Sequence, residues 1–123
     1  AAVGDYASET IANEKIKKSD ETMQLQLIKN KDILFELGQR KKDNQLLCGF
    51  AMETQNLIEN AKMKLIRKNC DMIVANHLKT DGAGFQGDTN VVSILKKEEV
   101  KHYDLLSKDE LSYIILEELT KEN

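Results

Sequence analysis

The chain has 123 residues, of which 41% are hydrophobic and 32% charged, and its formal net charge is −3. This length suits one domain with a modest core, so residues 1–123 are predicted to form a single globular domain. An acidic chain lacks the basic excess that nucleic-acid or membrane-surface binding requires, and no apolar run reaches the roughly 20 residues of a membrane span. The cysteines Cys48 and Cys70 have no paired spacing, which indicates reduced thiols in a cytoplasmic protein.

The first quarter of the chain predicts a β-hairpin. Residues 1–3 read as a short buried strand, and residues 8–18 as a loop or flap. Strict alternation over residues 22–27 predicts a strand whose covered face carries Met23, Leu25 and Leu27. We expect residues 6–28 to form a hairpin flap whose open edge pairs with a second copy in a homodimer.

The middle of the chain predicts a β-α-β unit. A short helix over 33–38, ending at Gly38, precedes an apolar strand at 46–50. A helix over 54–69 and an apolar strand at 72–75 follow, an order that is typical of parallel strands joined by a right-handed crossover. Gly82, Gly84 and Gly87 then predict a tight loop.

The last third predicts two strands and a helix. The strands are expected at 91–95 and 100–105, and Ser107-x-x-Glu110 reads as a capping box that opens the helix. Its core spacing is carried by Leu111, Ile114, Ile115 and Leu119. The fold class is therefore α/β: the C-terminal half of a Rossmann-like parallel sheet with flanking helices and a β-hairpin flap that serves dimerisation.

Two lysines lie beside the apolar stripe of the long helix. The stripe consists of Leu57, Ile58, Ala61 and Leu65, and Lys64 and Lys68 project within or next to it. One interpretation is snorkelling, in which the lysine stems cover apolar surface and the ammonium groups reach water. The other is that both ammonium groups point to the carboxyl edge of the sheet and bind a phosphate chain.

The other candidates are weaker. Lys15-Ile16-Lys17-Lys18 is either a solvated run or a mobile set of cations over a site. Asp5 either binds a ribose or base or caps a turn. His77 and His102 lack spaced partners, so no metal site is predicted.

Six ordered motifs resemble a known family. They are Ala1-Ala2-Val3-Gly4-Asp5-Tyr6, Lys15-Ile16-Lys17-Lys18, Asn30-Lys31-Asp32-Ile33, Gly49-Phe50-Ala51-Met52-Glu53-Thr54, Lys64-x-x-x-Lys68-Asn69-x-Asp71-x-Ile73-x-Ala75-Asn76 and Gly84-Phe85-x-x-Asp88-x-Asn90. Over essentially its whole length the chain resembles the C-terminal part of bacterial phosphopantothenate–cysteine ligase. That ligase is commonly fused to phosphopantothenoylcysteine decarboxylase in a bifunctional protein of coenzyme A biosynthesis.

The resemblance implies that 4′-phosphopantothenate and L-cysteine are joined through an acyl-cytidylate formed from CTP with Mg²⁺. It places Lys15 nearest the chemistry, as the catalytic residue. The residues that it implies for CTP binding are Asp5, Lys15, Asn30, Lys31, Asp32, Ile33, Phe50, Lys64 and Lys68. It also implies that the chain is a fragment without the ligase's N-terminal half and without the decarboxylase domain, which would hold FMN.

The chain departs from the family pattern in three places. Lys31 replaces a proline, Met52 an alanine, and His77 the aspartate usual after Asn76. Two alternatives to the ligase stay open: a non-catalytic nucleotide-binding module, and an assembly module that only dimerises.

Overall fold

The computed structural model describes residues 3–17, 21–77 and 89–121, and its contacts divide the chain into two compact units, Ala1–Ile33 and Leu34–Asn123. Its strands and helices, in chain order, are β1 (Tyr6–Ser8), β2 (Leu27–Lys29), α1 (Ile33–Arg40), β3 (Cys48–Glu53), α2 (Leu57–Arg67), β4 (Met72–His77), β5 (Thr89–Leu95), β6 (Val100–Ser107) and α3 (Lys108–Thr120). None of these helices is both long and apolar enough to cross a membrane.

The first unit contains the predicted hairpin. β1 and β2 pair antiparallel, with Tyr6 opposite Lys29, and Glu9 donates its backbone N–H to the Gln26 carbonyl oxygen at 3.0 Å. The strand predicted at 22–27 is wrong, because regular pairing begins only at Leu27. Its supposedly covered face is exposed, since Leu25 retains 65% of its accessible surface. Alternation shows which side chains share a face, and it does not show that anything covers that face.

The predicted strand at residues 1–3 lies partly outside the described residues. Val3, which is described, forms no strand and is exposed, so its prediction as buried is wrong.

The second unit is built on a sheet in the order β3-β4-β5-β6. β3 and β4 run parallel, from Cys48 opposite Met72 to Glu53 opposite His77, whereas β4–β5 and β5–β6 are antiparallel. This confirms the α/β class and the β-α-β unit. The sheet is mixed, because the short connection between β5 and β6 can join only antiparallel neighbours.

Each face of this sheet is covered by one helix. The face under α2 contains the predicted stripe of α2, with Ala61 and Leu65 buried against Ala51, Ile73, Ala75 and Leu95. The face under α3 contains Met72, Val74, Val92, Ile94 and Leu111, with Ile114, Ile115 and Leu119 packed against them. The predicted core spacing of both helices is therefore confirmed.

The start of α3 confirms the predicted capping box. Ser107 is the N-cap, and its Oγ accepts a hydrogen bond from the Glu110 backbone N–H at 3.1 Å. The same hydroxyl donates to the Glu110 carboxylate at 2.9 Å. This satisfies one of the backbone N–H groups that a helix start leaves without an intrahelical partner.

Gly38 does not end α1, as the sequence predicted, but lies inside it and is buried. A Cβ at this position would lie 1.9 Å from the carbonyl oxygen of Lys68. The glycine therefore allows α1 to touch the end of α2, where Asn69 adopts a positive φ of 52°. The Asn69 side-chain amide donates to the Gly38 carbonyl oxygen at 2.9 Å and fixes this contact.

Candidate functional site

The path of α2 decides where its two lysines lie. The chain leaves β3 at the carboxyl end, returns along α2 and enters β4 at Met72, opposite Cys48. The last turn of α2 therefore lies at the amino end of these strands. Lys64 and Lys68 belong to that turn and its cap, so the prediction that they point to the carboxyl edge is wrong. Helical spacing correctly placed the two lysines on one face of α2. It could not show in which direction α2 runs across the sheet.

Lys64 and Lys68 nonetheless lie on one side of α2. The Lys68 backbone N–H donates to the Lys64 carbonyl oxygen at 3.0 Å, so the helical turn between them is intact and their side chains are neighbours. Both are half-buried, whereas Lys62 and Arg67 of the same helix are exposed. Half-burial of the two lysines agrees with both interpretations, snorkelling and anion binding, and does not distinguish them.

The ammonium group of Lys64 is held in one place. Its Nζ donates to the carbonyl oxygen of Phe50, in the middle of β3, at 3.1 Å. A carbonyl is neutral, so this bond does not itself neutralise the positive charge of Lys64. The Phe50 side chain itself is 56% exposed. Phe50 pairs with Val74, whose side chain lies on the face of the sheet under α3, whereas α2 covers the other face. Lys64 therefore contacts the backbone of Phe50, and the Phe50 ring belongs to the opposite face.

Cys70, just before β4, lies among these cations. Burial raises the pKa of its thiol, while the nearby charges of Lys41, Lys68 and Lys64 lower it. The three ammonium groups therefore act on one place at the amino end of the strands. A cavity of about 510 Å³ opens at the same end, and the side chains that line it include Cys70 and three more lysines: Lys96, Lys97 and Lys121.

Lys41 has a structural role at this end. Its Nζ donates to the Asp71 carboxylate and to the Asn69 carbonyl oxygen, both at 2.9 Å. The same Asp71 oxygen accepts from the Leu47 backbone N–H at 2.7 Å. Because its charge is already paired, Lys41 is less suited to bind a ligand than Lys64 is.

The remaining predicted site residues belong to the first unit. Asp5 and Asn30 lie together, since the Asn30 backbone N–H donates to the Asp5 carbonyl oxygen at 2.7 Å and its side chain to Gly4 at 2.8 Å. Lys15 and Lys31 are exposed. Asp32 precedes α1, and Ile33 is its first residue. The structure thus brings together Asp5 with Asn30, and Phe50 with Lys64.

One constellation was missed from the sequence. His77 Nε2 lies 2.8 Å from the Ser93 hydroxyl, which in turn lies 2.7 Å from His102 Nδ1. Burial lowers the pKa of His77, and the neighbouring His102 lowers it further. These residues come from three successive strands and have no motif spacing. Only the register of β4, β5 and β6 could have revealed them.

Comparison with known proteins gives the family. Residues 1–122 match the family described as DNA/pantothenate metabolism flavoprotein C-terminal domain, and the chain belongs to it. The chain is 47% identical over 120 residues to the coenzyme A biosynthesis bifunctional protein CoaBC of Bacillus subtilis, covering 97% of this chain and 29% of that protein. It is 44% identical over 120 residues to a cysteine/cysteine sulfinic acid decarboxylase of an unknown prokaryotic organism, covering 97% of this chain and 33% of the relative. The chain therefore spans about a third of the length of these relatives.

Solved structures agree with this family assignment. The C-terminal domain of a coenzyme A biosynthesis bifunctional protein CoaBC matches with a TM-score of 0.63 and 46% identity, over 75% of this chain and 44% of that one. The DNA/pantothenate metabolism flavoprotein from Streptococcus pneumoniae matches with a TM-score of 0.68 over 85% of this chain and 44% of that one. Its 24% identity supports the fold alone.

These findings correct the assignment made from the sequence. The matched family is described as a flavoprotein domain, and a relative is named a decarboxylase. None of the descriptions given above names a ligase or CTP, so the identification as a CTP-dependent phosphopantothenate–cysteine ligase is overturned, and its alternatives gain no support. The reason lies in the kind of signal. Short ordered motifs identify a shared polypeptide segment, and they do not say which activity of a bifunctional protein that segment serves.

Proposed function

We propose that this chain, as a member of the DNA/pantothenate metabolism flavoprotein C-terminal domain family, is part of a bifunctional enzyme of coenzyme A biosynthesis. The support is its identity to CoaBC proteins over 97% of its own length. Because it spans only about a third of those relatives, the activity of the whole protein belongs to the proposal. The matched family is described as a flavoprotein domain and one relative is named a decarboxylase, so flavin binding is the first activity to test.

The role that the geometry supports best is binding the phosphate group of a phosphorylated ligand at Lys64 and Lys68. The observation that carries this role is the hydrogen bond from Lys64 to the Phe50 carbonyl oxygen, which fixes the ammonium group against β3 through a neutral partner. A fixed cation loses less side-chain freedom when it binds an anion than a mobile surface lysine does.

Isothermal titration with two probes tests this role. Inorganic pyrophosphate tests for phosphate affinity, and flavin mononucleotide tests whether a flavin is the phosphorylated ligand. Removing both ammonium groups in Lys64→Ala/Lys68→Ala should weaken pyrophosphate binding about 100-fold, since each charged contact contributes more than about 1.4 kcal/mol.

The matched control is Lys62→Ala/Arg67→Ala, which removes two exposed cations from the same helix and the same net charge. This control should bind like the unaltered chain. Equal weakening in both double variants would show only a general effect of charge and would refute the site. Tight pyrophosphate binding with no flavin binding would leave the phosphate site intact and exclude flavin as its ligand.

A homodimer through residues 6–28 remains part of the proposal. Apolar side chains of the first unit are widely exposed, among them Ile11 at 89% and Leu25 at 65%. Such surface is typical of an interface that a partner covers. Sedimentation should show dissociation in Leu25→Asp, whereas Met63→Asp, at an equally exposed position on α2, should leave the assembly unchanged.

The other expectations stay predictions. They are CTP, Mg²⁺, 4′-phosphopantothenate and L-cysteine as ligands, Lys15 as the residue nearest the chemistry, and a cytoplasmic location. CTP with Mg²⁺ can be titrated in the same experiment.

A further inference from the structure

Ser93 connects two histidines across the face of the sheet that α2 covers. Ser93 lies on β5, opposite Ala75 of β4 and His102 of β6, and its accessible surface is 0%. Its hydroxyl oxygen is 2.8 Å from His77 Nε2 and 2.7 Å from His102 Nδ1, so both contacts are hydrogen bonds. His102 is exposed and His77 is half-buried at the carboxyl end of β4.

A serine hydroxyl has one proton, which makes this chain of bonds directional. When the hydroxyl donates to His77 Nε2, it accepts from the N–H at His102 Nδ1, and when it donates to His102 it accepts from His77. The tautomers of the two imidazoles are therefore linked through Ser93. The chain of bonds reaches from the solvent-exposed ring to the half-buried one.

We propose that His77, Ser93 and His102 form a proton relay that carries a proton from solvent at His102 to His77 at the carboxyl end of β4. A proton from water adds to His102 Nε2. The Nδ1–H bond of His102 then breaks as an O–H bond forms on Ser93, while the former O–H bond of Ser93 breaks as an N–H bond forms at His77 Nε2. One positive charge moves from His102 to His77, and Ser93 stays neutral. His77 releases its Nδ1 proton to a basic oxygen or nitrogen atom of a ligand bound beside it, or to water, and no oxidant or reductant is needed.

Charged side chains on the neighbouring elements flank the relay. Glu53 of β3 lies opposite His77. Asp104 comes two residues after His102, at the irregular part of the β5–β6 pairing. On α2, which packs on this face, the charged groups of the first half are Glu59 and Lys62, both exposed. The residues of β5 next to Ser93 carry no charge. The charged group that acts on the pKa of His77 is His102.

Nuclear magnetic resonance of the chain labelled with ¹⁵N at histidine tests the relay directly. The Nδ1 and Nε2 shifts of both rings are followed from pH 8.5 to 4.5. A shared proton predicts that each ring responds in two steps, because the first proton distributes over the pair and the second meets a like charge. In Ser93→Ala each ring should titrate in one step, and proton exchange at His77 with water should slow about tenfold or more.

Ser112→Ala, which removes an exposed hydroxyl of α3, is the control and should leave both titrations unchanged. Independent one-step titration of the rings in the unaltered chain would overturn the relay, and so would a His77 titration that Ser93→Ala does not change. If Ser93→Ala does not fold, His102→Gln decides. Proton exchange between His77 and water must then slow, and an unchanged exchange rate in that variant would refute the proposal.

Discussion

Replacing Gly38 by alanine tests the contact that positions the end of α2. On its own, this change in a helix would stabilise α1 by about 1 kcal/mol, because alanine has the higher helix propensity. The added Cβ would, however, lie 1.9 Å from the carbonyl oxygen of Lys68 and 2.9 Å from its carbonyl carbon. These are backbone atoms, which cannot rotate away as a flexible side chain can.

The two helices must therefore separate by about 1.5 Å to restore an ordinary contact distance. Such overpacking costs about 1–3 kcal/mol, and the separation also stretches the 2.9 Å hydrogen bond from Asn69 to Gly38. The cost exceeds the propensity gain, so we expect a net loss of about 2 kcal/mol in the free energy of unfolding. With a urea dependence of about 2 kcal/mol per molar, the midpoint should fall by about 1 M.

Urea unfolding followed by circular dichroism measures this change. Gln39→Ala, at the exposed neighbouring position of α1, is the control and should shift the midpoint little. A Gly38→Ala chain as stable as the original, or more stable, would show that α1 and α2 do not approach as closely as described. The account of how Lys68 is positioned would then fail.

Three further predictions concern stability and thiol reactivity. Ser107→Ala should cost about 1 kcal/mol in urea unfolding through loss of the α3 cap, whereas Ser112→Ala should cost less. The pKa of Glu118 is lowered, first by the hydrogen bond from Lys101, so its contribution to stability is present above about pH 4.5 and is lost as pH falls through the lowered value. Thermal unfolding of Glu118→Gln should accordingly show a smaller loss of stability on acidification below pH 4.5, and an unchanged acid dependence would contradict this. Burial, followed by the neighbouring thiol, raises the pKa of Cys48 to about 11. At pH 8 its thiolate fraction should be about 100-fold lower than that of a free cysteine, and the greater nucleophilicity of a high-pKa thiolate offsets about tenfold of this difference. Its reaction with a disulfide reagent should therefore be about 10-fold slower than that of a free cysteine, and an ordinary rate would refute the burial.

Much of the second unit could be predicted because its signals are local. Periodicity placed Leu57, Ile58, Ala61 and Leu65 on one face of α2, and Ser107-x-x-Glu110 marked the start of α3. Packing then followed the pattern, since a helix can bury only its apolar face. The parallel pairing of β3 and β4 followed in the same way from the helix between them.

The misses concern contacts between distant residues. A glycine such as Gly38 commonly ends a helix. Here it lies inside α1, where the absence of a side chain lets the end of α2 approach closely. Met23 and Leu25 alternate correctly, and their exposure depends on what lies over them. Lys64 and Lys68 were placed on the correct face, but at the wrong end of the sheet. The link between His77 and His102 through Ser93 depends on strand register, which no local spacing encodes.

The activity was the hardest property to predict. The residues that carried the resemblance, such as Lys64 and Phe50, identify the segment and suggest an anion. They do not specify the rest of the ligand, because a phosphate group is recognised in the same way whatever it is attached to. The function therefore had to be corrected by comparison with whole proteins.

The central claim is that Lys64 and Lys68 bind a phosphate group beside the backbone of Phe50, at the amino half of β3. Mapping backbone amide shifts during a titration with inorganic pyrophosphate tests it most directly. The account predicts saturable shifts at Phe50, Lys64, Lys68 and the neighbouring Cys70, with little change at His102 on β6. Shifts that are absent, or that spread evenly over the exposed lysines without saturating, would contradict it.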